Sequence, residues 1–194
     1  MSTPIPPDLQ LVALVGSLRA SSINRAIFNA TVEVAPANLT IVEAPIGRLP
    51  FFDQDLEASL PEAVEEFHAQ LRAADGVLIF TPEYNYSIPG VLKNAIDWGS
   101  RPSGNGSLNG KPVTIFGASG GRSGTMRAQM HLRTIVGHLD MPAMPKPEYI
   151  LPFAGRAMED GRLVDSEERQ RLADMLVKFS DWVRLLKLRE QVVV

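Results

Sequence analysis

The stretch Leu9-Gln10-Leu11-Val12-Ala13-Leu14-Val15-Gly16 decides the fold, together with Ser17-Leu18-Arg19-Ala20-Ser21-Ser22-Ile23-Asn24 directly after it. The first half is a short apolar run stopped by a glycine, the pattern of a parallel strand buried on both faces. The second half is polar and rich in helix-capping residue types. Ile23, Ala26, Ile27 and Ala30 then recur on one helical face.

The same unit repeats along the chain. Leu39 to Val42 reads as a second strand, and 44–60 as a loop containing Pro45, Gly47 and Pro50. Pro61 opens a helix in its first turn, with Glu62, Glu65 and Glu66 near the positive end of the dipole and Val64, Phe67 and Leu71 as the apolar stripe. Gly76 to Phe80 is a third strand, and Pro89 to Gly99 a short helix with Leu92, Ala95 and Ile96 facing inward. Val113 to Phe116 is a fourth strand and Thr125 to Leu139 a helix. A fifth strand lies within 142–151, where Pro142, Pro145 and Pro147 confine it to a sheet edge. Ser166 to Glu190 closes the chain as an amphipathic helix with Leu172, Met175, Leu176, Phe179, Val183 and Leu186 on one side.

Alternation of this kind predicts an α/β, flavodoxin-like three-layer sandwich: a five-stranded parallel sheet in the order 2-1-3-4-5, with helices on both faces. The expectation is a single domain over 1–194, with 1–8 as a flexible N-terminal tail. In such a sheet, ligands bind beyond the C-terminal strand ends where the strand order reverses. Three loops meet there: 16–24, 81–89 and 117–124.

The first loop leaves a buried strand and enters a helix, whose free amides suit phosphate. Its serines and Asn24 add neutral donors, and Arg19 a charged one. It matches neither the dinucleotide fingerprint nor the P-loop, so a terminal monophosphate fits better. Equally, Ser21 or Ser22 simply caps the helix and Arg19 is a solvated charge. The second loop, Thr81-Pro82-Glu83-Tyr84-Asn85-Tyr86-Ser87-Ile88-Pro89-Gly90, is stiffened by two prolines. It exposes amides and aromatic faces suited to a flat heterocycle. The bland account is a turn with half-buried tyrosines, and Glu83 alone reads more readily as a surface charge than as a base. The third loop has four glycines and two serines in the eight positions 117–124. It permits close backbone approach, and its amides suit negative charge at one end of a planar cofactor; its bland reading is flexibility.

Composition narrows the classes. Hydrophobic residues make up 45% and charged residues 21% of 194 residues, with a net charge of -3. No basic field recruits nucleic acid or an anionic membrane. There are no cysteines and three histidines, at 68, 131 and 138 without metal-type spacing. Disulfides, thiolate chemistry and Cys-type metal sites are therefore excluded. The N-terminus lacks a signal-peptide pattern, and no apolar run approaches the roughly 18 residues that span a bilayer. The expected setting is cytoplasmic, with neither nucleic acid nor membrane as partner.

These residues together resemble the NADPH-dependent FMN reductase family, particularly its quinone, chromate and azo-dye reductase branch. The resemblance lies in Gly16-Ser17-Leu18-Arg19 with Ser22 and Asn24, and in the whole run from Thr81 to Trp98. It continues in Gly124-Thr125-Met126-Arg127-Ala128-Gln129-Met130-His131-Leu132-Arg133 and Lys146-Pro147-Glu148-Tyr149. It extends from about residue 9 to 152; the N-terminal tail and 101–110 carry little of it. It implies an FMN-dependent enzyme that takes hydride from NADPH or NADH and passes electrons to a small acceptor such as a quinone, free flavin, chromate or azo compound in a ping-pong cycle. Ser17, Arg19, Ser22 and Asn24 would cradle the FMN phosphate. Pro82, Glu83, Tyr84 and Asn85 would line the isoalloxazine, largely through backbone atoms. Ser119, Gly120, Gly121 and Ser123 would close its pyrimidine end. No side chain is implied as acid, base or nucleophile, because the flavin carries the chemistry. Family members are usually dimers or tetramers, so a homodimer or homotetramer is expected, with Tyr86, Arg101 and Arg127 as candidate intersubunit contacts. The rival readings are a flavodoxin-type electron carrier without NAD(P)H turnover and a flavin-free signalling domain. Flavodoxins tend to be strongly acidic. A signalling receiver needs acidic residues where Gly16-Ser17-Leu18-Arg19 stands.

Overall fold

The computed structural model describes residues 8–192, so the expected tail falls almost wholly outside the described residues. Strands β1 (Leu9–Val15), β2 (Leu39–Ala44), β3 (Gly76–Thr81), β4 (Val113–Ala118) and β5 (Tyr149–Leu151) form one parallel sheet in the order β2-β1-β3-β4-β5. The helices between and after them are α1 (Ile23–Glu33), α2 (Glu62–Ala73), α3 (Gly90–Gly99), α4 (Met126–His138) and α5 (Ser166–Val192). The flavodoxin-like arrangement expected from the sequence is the one observed.

Strand alternation sorts the core into two layers. Leu11, Ala13, Val15, Leu78, Phe80 and Phe116 face α1 and α5. Val12, Leu14, Val77, Ile79, Val113 and Ile115 face α2, α3 and α4. On the first face Phe80 and Phe116 stack with centroids 4.7 Å apart. The α5 stripe behaves as read: Leu172, Met175, Leu176, Phe179 and Val183 are buried, each contributing about 1.5–3 kcal/mol by burial. Leu186, one turn on, is only half-buried.

Several boundaries shift. Pro61 is the residue before the first turn of α2, with ψ 143°. The missing N–H is as harmless there as one position later. β5 is three residues long and lies at the edge, as its prolines require. The sequence reading missed a small hairpin, β6 (Met158–Glu159) with β7 (Arg162–Leu163). Its turn is Asp160-Gly161, both at positive φ, a standard two-residue hairpin signal that was open to reading. The hairpin ties to α1 through Arg162 and Glu33, 3.2 Å apart.

Under the 101–110 loop, His68 of α2 is buried and its Nδ1 lies 2.6 Å from the Ser107 hydroxyl. Burial, and then the nearby charge of Arg72, hold its pKa below 6.5. The folded state therefore binds fewer protons here than the unfolded chain. Its stability should be full above pH 6.5 and decline as pH falls below that value. Replacing His68 with Gln should flatten that part of a urea-midpoint profile against pH; an unaltered slope would exclude His68 as its source.

Candidate active site

The three loops expected at the switch point do meet there, each emerging from a C-terminal strand end. Loop 16–24 follows β1, loop 82–89 follows β3 and loop 119–125 follows β4. β1 and β3 are neighbours that lead outward in opposite directions, to β2 and to β4.

Long-range bonds hold the loops to one another. Asn24 is buried in the first turn of α1. Its side-chain amide donates to the Ala118 carbonyl at 2.9 Å, and its carbonyl accepts from the Ala118 N–H at 3.0 Å. β3 ends with Thr81 opposite Gly117, so Asn24 supplies the Ala118 carbonyl with the amide that the ladder lacks. The Ser17 hydroxyl reaches the Tyr84 hydroxyl at 3.5 Å. Glu83 spans from the second loop to α4. One carboxylate oxygen accepts from the N–H groups of Arg127 (2.9 Å) and Ala128 (3.1 Å), and the other from the Arg127 guanidinium (2.9 Å). Glu83 thus caps a helix that begins 43 residues later, at Met126, where negative charge is favoured. Burial raises its pKa, but the Ala128 N–H and both Arg127 groups lower it further, and the net is a carboxyl held below its ordinary range.

The second loop is a tight turn. Tyr84 and Ser87 exchange backbone hydrogen bonds at 3.0 and 2.9 Å. Asn85 and Tyr86 lie between them at φ 50° and 64°. Left-handed backbone at a tyrosine costs about 1–3 kcal/mol. The Arg127 guanidinium, 3.9 Å from the Tyr86 ring centroid, helps hold it. In the third region, Gly117 lets α4 approach the sheet: a Cβ there would lie 1.8 Å from the Thr125 hydroxyl. Gly124, at φ +58°, turns the chain into α4.

A cleft of about 670 Å³ opens between the second and third loops, a size ordinary for a small-molecule site. Glu83, Asn85 and Tyr86 line one side; Ser119, Gly121, Arg122, Ser123 and Gly124 line the other, with Arg127 between. Of the other expected cofactor residues, Pro82 is buried behind the turn and Tyr84 is half-exposed at its base. Gly120 faces open space.

Ser17, Arg19, Ser22 and Asn24 sit beside this cleft rather than in its lining. The Ser22 hydroxyl caps α1 by accepting from the Arg25 N–H at 3.2 Å. The Arg19 guanidinium rests on the Ser21 hydroxyl at 2.8 Å and is exposed. The polar reach of Asn24 is spent on Ala118. Sequence reasoning found these residues but not the partners of Asn24 and Glu83.

The site suits FMN on its donor set. Among the described residues, no hydrogen bond takes up the backbone N–H groups of residues 17–24, Glu83, Asn85, Gly120, Arg122 or Ser123. Glu83, whose side chain is 9% exposed, is turned onto α4, and no other carboxylate lines the cleft. Convergent amides and hydroxyls without a free acid suit a phosphate at the α1 end and a carbonyl-edged ring in the cleft. No group of three or more His, Asp or Glu residues that could hold a metal ion occurs among the described residues.

A doubly wound parallel sheet bearing such a cleft at its switch point defines a flavodoxin-like α/β protein with a small-molecule site there. The chain belongs to the NADPH-dependent FMN reductase family, whose model matches residues 9–156. It is 43% identical over 182 residues to the NAD(P)H-dependent FMN reductase PA1204 of Pseudomonas aeruginosa, covering 93% of this chain and 98% of that one. It is 42% identical over 177 residues to the 2-hydroxy-1,4-benzoquinone reductase of a Burkholderia species, covering 91% and 97%. Among solved structures it resembles the flavoenzyme NAD(P)H:(acceptor) oxidoreductase FerB of Paracoccus denitrificans, with a TM-score of 0.84, 34% identity and coverage of 91% and 97%.

Proposed function

We propose that this chain binds FMN and uses NADPH or NADH to reduce small acceptors, quinones foremost, by two electrons. The observation that carries this reading is the gathering of unpartnered N–H donors from three loops around one open cleft, braced by Asn24 and Glu83. The relatives' names support the donor and the acceptor class. When bound, FMN supplies the hydride chemistry; the chain binds, orients and excludes competing charge. Ser17, Arg19 and Ser22, with the free amides of 17–24, hold the phosphate, and Asn24 acts by fixing that loop. Pro82, Glu83, Tyr84 and Asn85 present backbone to the ring. Ser119, Gly120, Gly121 and Ser123 close its far end. In the net reaction NAD(P)H and one proton convert a quinone to its hydroquinone.

The same reading makes 1–194 one functional unit, working in the cytoplasm where reduced nicotinamide is supplied, and assembling as a homodimer or homotetramer. Among the described residues no helix is long and apolar enough to cross a membrane. Tyr86, Met126 and Met130 are exposed apolar groups beside the cleft, which favours a subunit contact there. Sedimentation should give a dimer or tetramer, and replacement of Met126 and Met130 by Glu should weaken it.

The deciding experiment is anaerobic NADPH titration of the FMN-reconstituted protein. Bleaching of the flavin band, followed by recovery on adding a quinone, is expected. FMN binding without bleaching would instead favour an electron carrier, and absence of FMN binding would overturn the reading. Within it, Arg19→Ala should weaken FMN binding by about 1.5–3 kcal/mol, the contribution of one charge-assisted bond. An unchanged affinity in a fluorescence titration would remove Arg19 from the phosphate site.

A further inference from the structure

The charges in the cleft are unevenly matched. Glu83 and Arg127 neutralise one another, and Arg127 is further held against the Tyr86 ring. Arg122 lines the same cleft and is exposed. Among the described residues its guanidinium has no hydrogen bond, ion pair or ring contact. The cleft wall therefore carries one unmatched positive charge in a chain whose net charge is -3. The N–H groups of Arg122 and Ser123 are also without partners among the described residues.

A free guanidinium fork in a cleft lined by a segment with two free amides suits a planar oxyanion. The FMN phosphate is not its natural ligand, because the donors for that phosphate lie on the α1 loop, outside the cleft lining. An exposed arginine at the rim suits a group that arrives and leaves with each turnover. We propose that Arg122 is a specificity-determining residue that favours anionic acceptors: quinones bearing an ionised ring hydroxyl or a carboxylate. A quinone hydroxyl is conjugated with a ring carbonyl, so it ionises as a carboxylic acid does. Negative charge also builds on the quinone oxygens as electrons arrive, and Arg122 favours that change. The inference rests on the reductase reading above. The 2′-phosphate of NADPH offers the same oxyanion chemistry from the donor side, and the test separates the two sources.

The test compares the FMN-loaded wild-type protein with Arg122→Gln and Arg122→Lys. The first ratio is kcat/KM for 2-hydroxy-1,4-naphthoquinone over that for 1,4-naphthoquinone, with NADH as donor. Arg122→Gln should lower this ratio about 10- to 100-fold, mainly through KM, as loss of one charge-assisted contact implies. Arg122→Lys should recover part of it, because charge remains but the fork is lost. In the wild type the ratio should fall with added salt, and in Arg122→Gln it should not. A fall in the NADPH over NADH ratio instead would assign the oxyanion to the donor and overturn the acceptor claim. No change in either ratio, or a loss confined to FMN affinity, would overturn the proposal. Benzoate perturbation of the bound-flavin spectrum needs no turnover, so it reports on Arg122 even if the wild type reduces no quinone. Weaker benzoate binding in Arg122→Gln supports an anion receptor, and equal binding overturns it.

Discussion

Replacement of Asn24 by alanine is expected to cost about 1–3 kcal/mol of stability, because it leaves the Ala118 carbonyl without its donor and takes one acceptor from the Ala118 N–H. Both belong to Ala118, at the end of the interior strand β4, and both are bonded to Asn24. Asn24 is 2% exposed, so water cannot replace it without entering the core. Asn24→Asp tests the same bond pair more sharply: a carboxylate still accepts from the Ala118 N–H but cannot donate to the Ala118 carbonyl, and it places a charge there. Both variants should also bind FMN more weakly, since Asn24 holds the phosphate-side loop against the ring-side loop. Urea unfolding with and without FMN measures both effects. A loss below about 1 kcal/mol would show that the two loops are held by something other than this amide.

The second large effect is at Glu83. Truncation to alanine removes the acceptor of two N–H groups in the first turn of α4 and leaves the Arg127 guanidinium without its carboxylate. The expected loss is about 2–4 kcal/mol, counting one helix cap and charge-assisted bonds discounted for the 41% exposure of Arg127. Glu83→Gln should lose less, because one amide oxygen can still cap the helix. The pH dependence has a definite sign. The carboxyl is held below its ordinary value of 4.5 in the fold. Its contribution is therefore complete above that value and is lost as pH falls through the lower folded one. Glu83→Gln should remove that acid-side loss from a plot of urea midpoint against pH. An identical acid limb in the variant would show that other carboxylates dominate it. FMN affinity should fall in Glu83→Ala, because Glu83 is one of the ties that fix the turn at Asn85 and Tyr86 to α4, beside the Arg127–Tyr86 stack and the Ser87–His131 contact at 3.0 Å.

Both residues show where local pattern stops being informative. Glu83 in isolation reads as a surface charge, yet it is the N-terminal cap of a helix whose bonded amides lie 44 and 45 residues away. The signal that would have found it is the absence of a capping side-chain bond at Thr125 itself, which is invisible without the fold. Asn24 reads as one more phosphate-loop donor, and its actual partner is 94 residues distant. The Asp160-Gly161 hairpin is the opposite case: its turn chemistry is local and was legible, but two-residue strands give no periodicity to confirm it.

What the sequence determined by itself was the sheet and the position of the site. Strands buried on both faces must be continuous apolar runs, as at Leu9–Val15 and Gly76–Thr81, and the glycines and prolines that stop them mark the loops. Chain connectivity and right-handed crossovers then leave one sensible strand order, and that order places loops 16–24, 81–89 and 117–124 together. What the tertiary structure decided was which polar atoms remain free once the loops have met. Asn24 and Glu83 are consumed in bracing, Arg127 is consumed by Glu83 and Tyr86, and Arg122 is left over. Hydrogen bonding saturates by geometry, and a geometry assembled from residues 44 to 94 positions apart is not written in any local stretch of the chain.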